Sequence, residues 1–372
     1  MLLDHNQQAF LAIVQAGLWE QEAQLALLGK IDFSEISCKA EEQSIVGLVA
    51  AGLEHVSDVR PPKEMALQFV GQTLQLEQRN SEMNVFIEEL IEMLRKADVY
   101  SLLIKGQGIA QCYEHPLWRS CGDVDLFLSE QNYDKAKLFL IPIASNVDEE
   151  DQKRMHLAMT IDSFVVELHG TIDGGISKQE RQGLEAVKND IFVGGAVRSW
   201  INGSTQVFLP SADNDVLIVF THILEHFFYG GIGLRQICDW CRLLWTYREK
   251  INLQLLENRI HKMGLSSEWK GFAALAVRDL GMPVEAMPLY SSDSKWLRKA
   301  DRIRAIILET GNFGHNRDNS HYHKHSFLVY KAISFWRNTK DSFKHMMIFP
   351  IDATRVWFYR LGEGIEVALK GK

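Results

Sequence analysis

The amino-acid sequence predicts an α+β fold: a small mixed β-sheet core flanked by large N- and C-terminal helical regions. Three observations predict it. Apolar residues recur at helical spacing through the first 97 residues, as in QQAFLAIVQAGL and QSIVGLVAAGLEHV. Residues 98–210 switch to short β-rich runs punctuated by a glycine turn and a hairpin signal. From Ser211 the helical period returns. The expected organisation is therefore 1–97, 98–210 and 211–372, and 372 residues suit two or three units of roughly 150 each.

Each element has a local reason. Pro61-Pro62 precedes a long helix from about Glu64 to Lys96, whose apolar side begins with Met65, Leu67, Phe69 and Val70. VYSLLI reads as a strand ending at the turn Lys105-Gly106-Gln107-Gly108. GIAQCYE reads as a short helix, VDLFL as the next strand, and Asn132–Phe139 as a helix. MHLAMTID and SFVVELHG alternate and meet near Asp162, a hairpin signal. A polar helix near 177–188 leads to short strands ending in QVFLP. Ser211-Ala212-Asp213 can cap DNDVLIVFTHILEHFF, Gly230-Gly231 break it, and LRQICDWCRLLWTYREKI forms a second amphipathic helix. Further helices reach about Thr310, then the polar loop GNFGHNRDNSHYHKHS gives way to a helix at FLVYKAISFWRN. No repeat of roughly 20–50 residues is visible.

Composition narrows the function classes. Hydrophobic residues make up 46% and charged residues 24%, ordinary for a soluble globular protein with a sizeable core. The formal net charge of −8 argues against bulk nucleic-acid binding, which needs a basic footprint. No signal peptide is visible in MLLDHNQQAF. No stretch approaches the roughly 20 uninterrupted apolar residues of a membrane helix. Lys344, Asp352, Arg355 and Arg360 interrupt the aromatic segment 343–361, which reads as a buried helix plus a tail. Five cysteines without framework spacing suit a reducing cytoplasm.

The chemistry concentrates at Asp123 and Asp125 in GDVDLFL. Two residues apart on a strand, they share one face, while Val124, Leu126 and Leu128 take the other. Side-by-side carboxylates repel and suit a bound Mg²⁺ (or Mn²⁺), which often sits on carboxylates and substrate phosphates. Glu167 and His169 likewise share a face of VVELHG. If that strand lies beside VDLFL, Glu167 becomes a third carboxylate, a metal ligand or a base. Strand, glycine turn, helix and a D-x-D strand together form the layout of a metal-dependent nucleotidyl transfer site.

These residues carry a family resemblance. IKGQGIAQCY…HPLWRSCGDVDLFL, VVELHG, PSADNDVLIVFTHILEH and LRQICDW resemble the uncharacterised bacterial nucleotidyltransferases of the polymerase-β-type superfamily. The resemblance covers about residues 35–245 and is strongest at 101–128. It implies a small mixed sheet with helices on one side. It also implies transfer of a nucleoside monophosphate from a nucleoside triphosphate to a hydroxyl of an unidentified acceptor. Carried over, Gly106 belongs to a phosphate-cradling turn, Asp123 and Asp125 to the metal pair, and Glu167 to the third acid. Lys105, Gln107, Arg119 and His169 join the candidate phosphate- and substrate-binding set. The superfamily prefers two small residues at the turn, and this chain has Lys105-Gly106 followed by Gln107. Lys105 either supplies a charge to the triphosphate or is a strand-end lysine. Arg119 either meets phosphate, orients Asp123, or is a surface arginine. The departure at Lys105 supports an alternative: a non-catalytic nucleotide-binding or regulatory protein on the same fold.

Other signals compete. His222-Ile-Leu-Glu225-His226 matches H-x-x-E-H, the pattern of a zinc metallopeptidase, on a heavily apolar helix. The alternatives are a histidine facing the transfer site and satisfied core histidines. Cys238-Asp239-Trp240-Cys241 lacks a second cysteine pair and reads as structural, with Asp239 expected to pair with Arg235 one turn earlier. His315, His321, His323 and His325 crowd one polar loop, read as a mobile segment rather than a metal site.

Overall fold

The computed structural model describes residues 3–172, 176–316 and 327–370. His315 lies within them, whereas His321, His323 and His325 fall outside. The chain is α+β, with one seven-stranded mixed sheet.

The N-terminal helices are α1 (His5–Trp19), α2 (Phe33–Glu42), α3 (Val46–Glu54) and α4 (Lys63–Lys96). Asp4 opens α1 with a capping box, its side chain accepting from the Gln7 amide. Pro62 stands at the N-cap of α4, where the missing amide costs nothing. At 34 residues α4 is roughly 50 Å long. It then serves two partners: its first half packs beside α2 and α3, and its second half lies on the sheet.

The central segment runs β1 (Leu102–Ile104), α5 (Gly106–Ala110), β2 (Asp123–Phe127), α6 (Glu130–Leu140), β3 (Asn146–Val147), β4 (His156–Ile161), β5 (Phe164–His169), α7 (Lys178–Phe192), β6 (Val197–Asn202) and β7 (Thr205–Pro210). Its sheet order is β3-β4-β5-β2-β1-β7-β6. β2 pairs parallel with β5 and antiparallel with β1, while β1 pairs parallel with β7. The β4–β5 hairpin turns at Asp162-Ser163, and Asp162 takes the positive φ of 53° that such a tight turn demands. The short helix after β1 begins at Gly106, two residues before the GIAQCYE start.

The C-terminal helices are α8 (Ala212–Tyr229), α9 (Leu234–Thr246), α10 (Leu253–Lys262), α11 (Ser266–Leu280), α12 (Ser294–Thr310), α13 (Phe327–Met346) and α14 (Pro350–Lys370). Two local expectations need correction. Ser211 holds the N-cap position of α8, but its side chain makes no capping bond. Its carbonyl accepts from the Asp215 amide instead, and Asp213 accepts from the Asn252 amide. The aromatic segment 343–361 is not one helix with a tail. It breaks at 347–349 because Pro350 has no amide to continue the ladder, and α14 starts there. Among the described residues no helix is long and apolar enough to cross a membrane.

Strand alternation feeds the two sheet faces into two separate cores. Val124, Leu126, Leu128, Val166 and Leu168 join Phe86, Leu90 and Leu94 of α4 and Tyr133 of α6. Leu102, Ile104 and Phe127, on the opposite face, join the large core built by α1, α8, α9, α11 and α12. On that second face, the apolar lining gives way to polar side chains along β2 and β5. Leu126 is fully buried between sheet and helices. Leu126→Ala is expected to lower unfolding stability by about 2–5 kcal/mol, read as a lower urea midpoint with an unchanged slope.

Candidate active site

The site grows from the register of two strands. Asp125 of β2 pairs with Glu167 of β5, Asp123 with Val165 and Phe127 with His169. In a parallel pair, registered residues point to the same face, so Asp123, Asp125, Glu167 and His169 share one. The conditional expectation that Glu167 lies beside the aspartate pair is met by this pairing.

Asp125 is the buried member, at 3% exposure. Lys105 Nζ lies 2.9 Å from its Oδ1, and His169 Nε2 lies 2.9 Å from the same oxygen. Burial opposes the charge on Asp125, yet Lys105 and His169 hold its carboxyl below the usual range. The opposite holds for Asp123, raised by the neighbouring Asp125 charge, by burial and by Glu167. Glu167 accepts from His156 at 3.2 Å and lies 3.5 Å from His169 Nε2. Against its own burial, those two imidazoles lower its carboxyl. His169 is raised: burial opposes its charge, and the bonds to Asp125 and Glu167 outweigh it.

The turn that delivers Lys105 is strained. Lys105 has φ 56° and ψ −147°, a conformation unusual for a residue with a Cβ and costing on the order of 1–3 kcal/mol. Gly106 follows at φ 45°, and a Cβ there would meet Cys121 Sγ at 3.3 Å and the Asp123 carbonyl at 3.5 Å. The turn therefore passes directly over the entrance to β2. The Gln107 side chain points elsewhere: its Nε2 donates to Asn80 Oδ1 of α4 at 2.8 Å, and the residue is buried. Its candidate role as a phosphate ligand is left to its backbone.

Arg119 is buried and held as a bidentate partner of Asp239, with Nε to Oδ1 at 3.1 Å and Nη2 to Oδ2 at 2.6 Å. Tyr113 donates to the same carboxylate at 2.8 Å. The expected Asp239–Arg235 pair is thus corrected. Arg119 reaches Asp239 because Asn80 fixes its loop, donating to the carbonyls of Leu117 and Arg119 at 2.7 and 2.9 Å. Arg235 instead donates to the Ser120 carbonyl at 2.9 Å. A pocket lined by Lys105, Gly106, Asp123, Asp125, His222 and Arg235 opens between the turn, β2, α8 and α9.

The chain's other signals now have places. His222 borders that pocket, with His226 one turn beyond, their ring centroids 4.3 Å apart. Burial and then the nearby Lys105 push His222 far below an ordinary imidazole, and the same causes push His226 to about 4. Glu225 pairs with Arg154 at 3.6 Å. Among the described residues, no third metal-binding side chain gathers with these histidines. Cys238 and Cys241 are free, buried thiols, both raised by burial. His156 was outside the sequence expectations, although its signal was there. Counting back from a two-residue turn at Asp162-Ser163 pairs His156 with His169 and Ala158 with Glu167.

The comparison with known families decides the identity. The family described as uncharacterised nucleotidyltransferase matches residues 29–280, from just before α2 to the end of α11. The chain belongs to this family. No curated protein and no solved structure matches it. The nucleotidyltransferase match reaches beyond the sheet through α10 and α11, so those helices lie within the matched extent.

Two outcomes are expected. In metal-free nucleotidyltransferase, the folded His169 titrates above the ordinary value of 6.5. Its stabilising contribution is complete below pH 6.5 and lost as pH rises through the folded value. NMR titration of the ring protons checks this, and Asp125→Asn is expected to bring the midpoint down. Asp239→Ala strands the buried Arg119 guanidinium and is expected to cost about 3–5 kcal/mol in urea unfolding.

Proposed function

We propose that this nucleotidyltransferase moves a nucleoside monophosphate from a nucleoside triphosphate to a hydroxyl of its acceptor, with Asp123, Asp125 and Glu167 as the acids that hold Mg²⁺ or Mn²⁺. The observation carrying this reading is the parallel register of Asp125 with Glu167, with Asp123 on the same face beside the pocket. Hard oxygen donors suit such an ion. The raised carboxyl of Asp123, caused first by Asp125, is a like-charge strain that a dication relieves. A bound ion would neutralise phosphate charge and favour ionisation of the attacking hydroxyl.

The chain's own residues account for the remaining roles. Lys105 is the mobile charge: released from Asp125, its ammonium can turn to the triphosphate as a point charge. Gly106 lets the backbone pass close to a phosphate without a Cβ in the way. Arg119 acts as a positioning residue, since its guanidinium is committed to Asp239 and its loop leads into β2. Catalysis by such a site is mostly orientation and charge stabilisation.

One observation favours a second reading, a nucleotide-binding protein without transfer. Lys105 already sits 2.9 Å from Asp125 as an internal cation, so an ion must compete with it. Pyrophosphate release separates the two. With the four nucleoside triphosphates, Mg²⁺ and a panel of hydroxyl acceptors, wild type is expected to release pyrophosphate. Asp125→Asn is expected to reduce the rate by at least roughly a hundredfold, the scale of losing a principal electrostatic group. Nucleotide binding by calorimetry without turnover in either protein would favour the binding module.

A further inference from the structure

We propose that His156, Glu167 and His169 form a second cation site, selective for a divalent transition ion of the Co²⁺ or Zn²⁺ kind over Mg²⁺. Among the described residues, these are the three metal-binding side chains whose donor atoms gather within 4.8 Å of one another. His156 Nε2 stands 3.2 Å from Glu167 Oε2, and His169 Nε2 stands 3.5 Å from the same oxygen. Ligands held about 2.0–2.2 Å from an ion lie roughly 3.0–3.5 Å from one another in tetrahedral or octahedral arrangements. Two of the three donor separations already have that spacing.

The backbone makes the arrangement firm. His156 and His169 are registered partners across the β4–β5 hairpin, and Ala158 opposite Glu167 leaves its carboxylate room to face both rings. The imidazole rings lie 4.8 Å apart, centroid to centroid. His169 Nε2 also lies 2.9 Å from Asp125 Oδ1, a contact that an ion on that nitrogen would replace. An arriving ion takes the place of the proton that His169 shares with these carboxylates, and that proton leaves to solvent.

Donor chemistry sets the class of ion. Mg²⁺ demands oxygen ligands and keeps its waters, whereas imidazole nitrogens select later first-row ions. Glu167 is shared with the proposed Mg²⁺ acids, and His156 is not. The site therefore extends the reactive face of the sheet from β2 and β5 onto β4, and its occupancy can be read without any nucleotide.

The test uses tag-free full-length protein, stripped with a chelator and titrated with Co²⁺ in millimolar Mg²⁺. Wild type is expected to retain one equivalent that His156→Ala and Glu167→Gln hold at least roughly tenfold more weakly. Visible d–d absorption is expected to report nitrogen ligation in wild type and to fade in both variants. Co²⁺ bound by the histidine-rich loop would persist in the variants and is subtracted by them. Asp123→Asn is expected to stop pyrophosphate release while keeping the Co²⁺ signal, which separates this site from the transfer reading. Equal Co²⁺ retention by wild type and a folded variant, displacement by Mg²⁺, or no retained Co²⁺ in wild type would overturn the proposal.

Discussion

A buried carboxylate has to be compensated, and the compensation of Asp125 organises the middle of this protein. An ionised carboxylate removed from water is expensive unless cations or donors replace the lost solvation. Asp125 finds both, Lys105 on one side and His169 on the other. Each comes from a different element. Lys105 arrives through a turn whose left-handed backbone is itself unfavourable, and His169 arrives because β5 lies parallel to β2. A parallel neighbour needs a crossover, supplied by α6 and the β3–β4 segment. Topology and charge balance are thus one constraint met twice, once by the path of the chain and once by its side chains.

Around this centre a second set of buried polar groups fixes the approach to β2. Asn80, from the middle of α4, holds the carbonyls of Leu117 and Arg119 and accepts from Gln107. Asp239, from α9, holds Arg119 and Tyr113. Arg242, one turn further along α9, donates to the carbonyls of Cys112 and Leu18 at 2.7 Å each. These contacts join N-terminal and C-terminal helices to the loop between α5 and β2. The flanking helices therefore help fix the loop that leads into β2, and the family match likewise runs from residue 29 to 280.

Much of the site was legible because strands have a period of two. That period alone put Asp123 with Asp125 and Glu167 with His169, and the turn at Asp162 located the hairpin. What linked the two pairs was conditional, since no local feature says which strand lies beside which. Arg119 and Asp239 are 120 positions apart, and nothing in either segment announces the other. A helical i, i+4 rule pointed Asp239 at Arg235, and a better-anchored long-range partner won. The H-x-x-E-H helix shows the reverse error of pattern reading. Its spacing is right for zinc, but among the described residues no third ligand gathers with it, and its glutamate is paired with Arg154.

Two histidines within one region are shifted in opposite directions by their neighbours. His169 and His222 both lose water on folding, which by itself favours the neutral ring. His169 faces two carboxylates, and they raise it above its ordinary value. His222 has Lys105, His226, His169 and Arg235 nearby, and their charges add to burial in pushing it down. The cationic side chains that line the pocket are Lys105 from the turn after β1, Arg119 from the loop before β2, and Arg235 from α9. The α8 side of the pocket presents Val219 and His222. The pocket thus sets these cations and the two aspartates of β2 against an apolar side chain and a lowered imidazole from α8.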